Sequence, residues 1–166
     1  MVQIFVSYAN PDRPRVETLV RALHQRGWKI WWDRSIIPGR AFDEVIEQAL
    51  DASECLIVVW SKDSVRSQWV KTEAAEGVRR GILVPVLFDD VTMPLEFRRI
   101  QAARLVDWDG RLDHPDFERL VEAVETITGV SHQEASATPA RASLAWVWPV
   151  LQSATGLLLE RPVTAE

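Results

Sequence analysis

The sequence is short of the residue types that usually declare a chemistry. Its single cysteine, Cys55, excludes an internal disulfide, and its apolar surroundings mark it as a core residue, consistent with a reducing cytoplasm. Three scattered histidines, His24, His114 and His132, offer no metal-ligand spacing beside one cysteine, so no metal is expected. Cations are not in excess. Nineteen Lys and Arg against 24 Asp and Glu leave a formal charge of −5 and a pI near 5.3, which argues against a nucleic acid recognised by bulk charge. Strand-like sequence begins at once, leaving no room for the charged segment and cleavage site of a secretory signal. There are no internal repeats.

What is present is an alternation of apolar runs and amphipathic stretches. Residues 2–8 (VQIFVSY), 29–32 (KIWW), 55–60 (CLIVVW), 82–88 (ILVPVLF) and, more weakly, 104–108 (RLVDW) read as strands. Pro85 cannot donate to a ladder, so the fourth strand is expected near an edge or with an irregularity. Between the strands, Val16, Leu19, Val20 and Leu23 mark one helix, which Asp12 could cap and Gly27 ends. Phe42, Val45, Ile46, Ala49 and Leu50 mark a second; Phe117, Leu120, Val121, Val124 and Ile127 mark a last one ending at Gly129. Strands alternating with helices at this spacing predict an α/β fold with a parallel sheet covered on both faces. Right-handed crossovers favour the five-stranded order 2-1-3-4-5.

The 166 residues allow one ordinary domain and an appendage. The domain is expected over 1–129. Residues 130–143 are small and polar, a linker by composition. In the tail, 144–166, an uncharged run at 144–159 is at the short limit for a membrane span, and Pro149, Gln152, Ser153 and Gly156 weaken that case. An amphipathic or partner-bound segment, or the start of a second domain, is expected instead.

The stretch that concentrates chemical interest is 61–76 (SKDSVRSQWVKTEAAE). Ser64 or Ser67 would cap a helix beginning near Gln68, in which Val70, Ala74 and Val78 form an apolar stripe. Trp69 and Glu73 lie one turn apart on the neighbouring stripe. An ordinary surface glutamate finds a cation three or four residues away. Glu76 does, in Arg79 and Arg80; Glu73 does not. In open parallel sheets ligands bind beyond the carboxyl ends of the strands at the switch point, here between strands one and three. The loop after Ser7 and the turn at Ser61 that leads to Glu73 would then flank one crevice, bordered by residues 33–40 (DRSIIPGR). A phosphoacceptor receiver domain of similar architecture would need an aspartate ending strand three; Ser61 stands there.

The segments IFVSYANPD at 4–12, WWDRSIIPG at 31–39 and SKDSVRSQWVKTE at 61–73 resemble the successive boxes of a Toll/interleukin-1 receptor (TIR) domain, and VPVLF at 84–88 fits as well. The resemblance covers residues 1–129 and implies a flavodoxin-like fold. Trp69 and Glu73 are similar to the Trp-x-x-x-Glu of the branch that cleaves NAD+, which implies that Glu73 is catalytic and that NAD+ is a substrate, with no cofactor. It further implies that Tyr8, Ala9, Asn10, Ile37, Gly39, Ser61 and Trp69 lie against the substrate. The loop bearing Arg34, Ile36, Ile37 and Pro38 would join one TIR domain to another, in immune or defence signalling. Some relatives carry arginines where Ala9 and Asn10 stand, and a glutamate near Ile37. The rival expectation is a non-catalytic module that signals by TIR–TIR assembly.

Overall fold

The structure is a computed structural model, and it describes residues 3–32 and 42–130. The expectations on Arg34, Ile36, Ile37, Pro38 and Gly39, and those on the tail, lie outside the described residues. Every described residue belongs to one unit, Met1–Ala135.

Five parallel strands, β1 (Gln3–Ser7), β2 (Lys29–Trp31), β3 (Cys55–Trp60), β4 (Leu83–Leu87) and β5 (Ala103–Arg104), form one sheet in the order β2-β1-β3-β4-β5. The central β1 and β3 pair from Ile4↔Cys55 to Ser7↔Val58. The helices α1 (Arg13–Gln25), α2 (Phe42–Asp51), α3 (Gln68–Arg80) and α4 (Pro115–Thr128) cover it. Because strand side chains alternate, the same strands feed two cores. Ile4, Val6, Cys55, Ile57, Val59, Val84 and Val86 pack under α1 and α4. Phe5, Leu56, Val58, Trp60, Leu83 and Leu87 pack under α2 and α3. A strand buried on both faces must be apolar throughout, which is why β3 reads CLIVVW without a polar position.

Pro85 is accommodated by alternation as well. The Phe88 N–H donates to the Trp60 carbonyl of β3, whereas the Leu87 carbonyl accepts from Leu105 beyond β5. Pro85 shares the parity of Leu87, so its missing N–H faces the side where β5 contributes only two residues. That fifth strand is shorter than the predicted 104–108. Trp108 is drawn away from it: its ring stacks on Phe117 of α4 at 5.1 Å and its indole N–H donates to the Arg111 carbonyl at 2.9 Å.

Local chemistry sets the helix ends that matter for the site. Ser67, not Ser64, caps α3, its hydroxyl accepting from the Val70 N–H. Gly81, at φ 69°, closes the same helix in the left-handed region that favours glycine. The neighbouring Arg80 donates to the carbonyls of Leu50 (2.6 Å) and Ser53 (2.7 Å), so the end of α3 also satisfies the end of α2.

Candidate functional site

Glu73 lies on the second turn of α3, and the helix drops it onto the sheet where β1 ends. Although its stripe neighbours the apolar one, its side chain lies inside the buried face, with 4% exposure. Among the described residues, donors from β1 and from α3 itself meet the carboxylate. The hydroxyl of Ser7, the last residue of β1, donates to Oε2, and the indole N–H of Trp69 donates to Oε1 at 2.6 Å. Both donors are neutral. A buried carboxylate is expensive to desolvate, and hydrogen bonds to a charged group recover about 1.5–3 kcal/mol each. Trp69 is itself 37% exposed, so the indole bridges from the buried carboxylate to the surface.

Beside this pair a groove of about 750 Å3 opens between α2 and α3. Ile46 and Leu50 form one wall; Trp69, Thr72, Glu73 and Ala75 form the other. That volume is in the range of small-molecule sites, and the apolar side chains share the lining with the charged Glu47, Asp51, Glu73, Glu76 and Arg79. The Arg80 contacts fix the spacing of the two helices that bound it.

Ser7 was not singled out in the sequence, although its position carried a signal. It is fully buried at the end of a strand whose Ile4, Phe5 and Val6 are also fully buried, and a buried hydroxyl requires a partner. The partner is 66 positions away, beyond the reach of any local pattern.

The other expected contacts fall in different places. Ala9 is half-buried and Asn10 exposed, at the start of a 3-10 turn, Asn10–Asp12, that follows β1. Tyr8 is 2% exposed, because strand alternation sends it opposite to Ser7 and into the core under α1, where its ring lies 6.5 Å from Trp32. Ser61 has no exposure. Its hydroxyl donates to Asp12 and accepts from the N–H groups of Ser64 (3.1 Å) and Asp63 (3.3 Å). Tyr8 and Ser61 therefore stand behind the crevice surface rather than on it.

Asp12 does not cap α1 as expected. Its carboxylate is taken by Ser61 and by Arg15 at 2.7 Å. Arg15 reaches on to the Phe88 carbonyl at 3.0 Å and Asp89 at 2.9 Å, and Asp89 accepts from the Lys62 N–H at 2.9 Å. This network ties the loops after β1, β3 and β4 together at one end of the sheet. The Arg15 hydrogen bond holds the Asp89 carboxyl below its usual range against the opposing effect of burial, with the Lys62 N–H assisting. Burial pulls the Arg15 guanidinium down, but its bonds to Asp89 and Asp12 outweigh that and raise it. On the other face, burial alone pushes the Cys55 thiol up to about 12, so it stays protonated and inert. No group of three or more metal-ligating side chains occurs among the described residues.

The family model for the TIR domain matches residues 4–121, and the chain belongs to that family. A stimulator of interferon genes protein from Magallana gigas is 31% identical over 116 residues, 62% of this chain and 28% of that protein. A probable 2' cyclic ADP-D-ribose synthase, TcpO, from Methanobrevibacter olleyae is 31% identical over 72 residues, 42% of this chain and 21% of that protein. The chain thus spans less than a third of the length of these curated relatives. Among solved structures, the TIR domain of the Toll-related receptor TRR-2 from Hydra magnipapillata superposes with a TM-score of 0.61 at 27% identity, covering 72% of this chain and 94% of that one.

Proposed function

We propose that this TIR domain is an NAD+ nucleosidase, releasing nicotinamide and leaving ADP-ribose or a cyclic isomer of it, with Glu73 as the catalytic carboxylate. The observation that carries the reading is the buried Glu73 carboxylate, met by the Ser7 hydroxyl and the Trp69 indole at the side of a ligand-sized groove. A glutamate kept only for stability would be cheaper on the surface of α3.

The reaction asks little more of the protein. In NAD+ the nicotinamide is a cationic leaving group. When the bond from its ring nitrogen to the ribose carbon breaks, the electron pair stays on nitrogen and the ring departs neutral, so no general acid is needed. The ribose acquires oxocarbenium character. A fixed anion beside it stabilises the transition state more than the ground state, as rate acceleration requires. Glycosidases that expel an alkoxide need two carboxylates; one suffices here. Capture of the ribosyl cation by water, with loss of a proton to solvent, gives the linear product, and capture by a nucleophilic group of the same molecule, again with loss of a proton, gives a cyclic one. TcpO, a relative over part of this chain, bears the name of a probable cyclic ADP-ribose synthase, which supports the cyclic branch as an outcome worth resolving.

NAD+ acts in this reading as substrate, without a further cofactor, in the cytoplasm and in a signalling role. Homotypic assembly is part of the proposal, with turnover rising faster than protein concentration. The test is nicotinamide release from NAD+ by the whole chain at increasing protein concentration, with the sugar nucleotide products separated chromatographically. Stoichiometric nicotinamide with ADP-ribose or its cyclic isomer is the expected result. Absence of release, even under assembling conditions, replaces the enzyme with the non-catalytic assembly module.

A further inference from the structure

We propose that Ser7 is a positioning residue for Glu73, setting the orientation of its carboxylate and through it the rate of glycosidic cleavage; this rests on the NAD+ nucleosidase reading. A carboxylate has two oxygens and about four lone-pair directions. The Trp69 indole takes one direction on Oε1, but Trp69 lies on the same helix and is 37% exposed, so by itself it would hold the carboxylate from a wetted side chain. Ser7 supplies what Trp69 lacks. It is fully buried, its backbone pairs in register with Val58 of the central β3, and its hydroxyl meets the other oxygen, Oε2.

Two donors from two elements, one on each oxygen, fix the plane of the carboxylate as one donor cannot. A group held by a rigid strand is also more precisely placed than one held by a loop. Ser7 does not itself need to meet NAD+: at zero exposure it acts on the reacting ribose only through Glu73. The packing of the sheet does not explain it. The residue two before it on the same face is Phe5, and its register partner on β3 is Val58, both apolar and fully buried.

The test uses the whole chain and reads nicotinamide release at saturating NAD+ together with KM. Ser7→Ala and Ser7→Cys are expected to lower the rate about tenfold to a hundredfold, the scale of a small misplacement of a catalytic group, with KM moving less than about threefold. Ser7→Thr keeps the hydroxyl on a residue at home in a strand and is expected to recover most of the rate. If the alanine variant does not fold, the cysteine variant, with similar volume and a weak donor, carries the comparison. Wild-type rates in the alanine or cysteine variants overturn the proposal while leaving the nucleosidase reading intact. So does a threonine variant as slow as either of them. A wild-type chain that releases no nicotinamide overturns both.

Discussion

The two faces of the sheet are made from alternate residues of the same strands, yet they are finished differently. Under α1 and α4, Ile4, Val6, Ile57, Val59 and Val86 meet Val16, Leu19, Leu23, Phe117, Leu120 and Val124, closed off by the Trp108–Phe117 ring stack. Under α2 and α3 the core is smaller among the described residues, and where β1 ends it turns from Phe5 to Ser7 and receives a carboxylate. A groove then runs between the two covering helices. The first face meets its helices with apolar side chains; the second also admits the buried polar pair of Ser7 and Glu73. On the proposed function, stability and chemistry separate by face, and substitutions should sort the same way.

The largest effect on stability is expected on the closed face. Phe117 is fully buried against Trp108, and Phe117→Ala removes about 3–5 kcal/mol of unfolding free energy, read by denaturant titration. Nicotinamide release per folded molecule should be unchanged. A loss of turnover without unfolding would break the separation. Next is Arg80→Ala, which strips the guanidinium from the carbonyls at the end of α2. About 1.5–3 kcal/mol should be lost, accompanied by a higher KM because the wall of the groove is no longer tethered. An unmoved KM would detach the groove from the substrate.

The smallest effect is a pH dependence. The folded Cys55 thiol titrates at about 12, against roughly 8.5 for an unfolded one. With the folded value raised, the stabilisation is complete below about pH 8.5 and is lost as pH climbs toward 12. Between about pH 8.5 and 9.5 the wild type should lose roughly 1 kcal/mol more than Cys55→Ala, which has no thiol to ionise. Equal slopes in the two proteins would place the thiol in contact with solvent.

Much of this separation was legible in the sequence, but unevenly. The strand order followed from the alternation of runs, because β3 and β4 are buried on both faces and must be apolar throughout. Trp69 and Glu73 were legible as a pair because helical spacing is local, and the indole–carboxylate bond is an i,i+4 contact. What escaped depends on contacts distant in sequence. Ser7 looked like the polar end of a strand until its partner on α3 was in view. Asp12 looked like a cap because it precedes a helix, whereas Ser61, 49 positions on, claims its carboxylate. The family resemblance groups Tyr8 with its neighbours at the substrate, whereas period-2 alternation sends its side chain to the opposite face from Ser7.

The most direct measurement pairs turnover with stability in Glu73→Gln, which keeps the shape and removes the charge. Single-turnover nicotinamide release should fall by about 10²–10³, the usual cost of a lost electrostatic partner in a transition state. The unfolding free energy should move by no more than about 1 kcal/mol, since the amide can still accept from one donor. Glu122→Gln, an exposed position on α4 across the sheet, is the matched control and should alter neither. Wild-type turnover in Glu73→Gln, or an equal loss in Glu122→Gln, would contradict the assignment of the chemistry to this carboxylate.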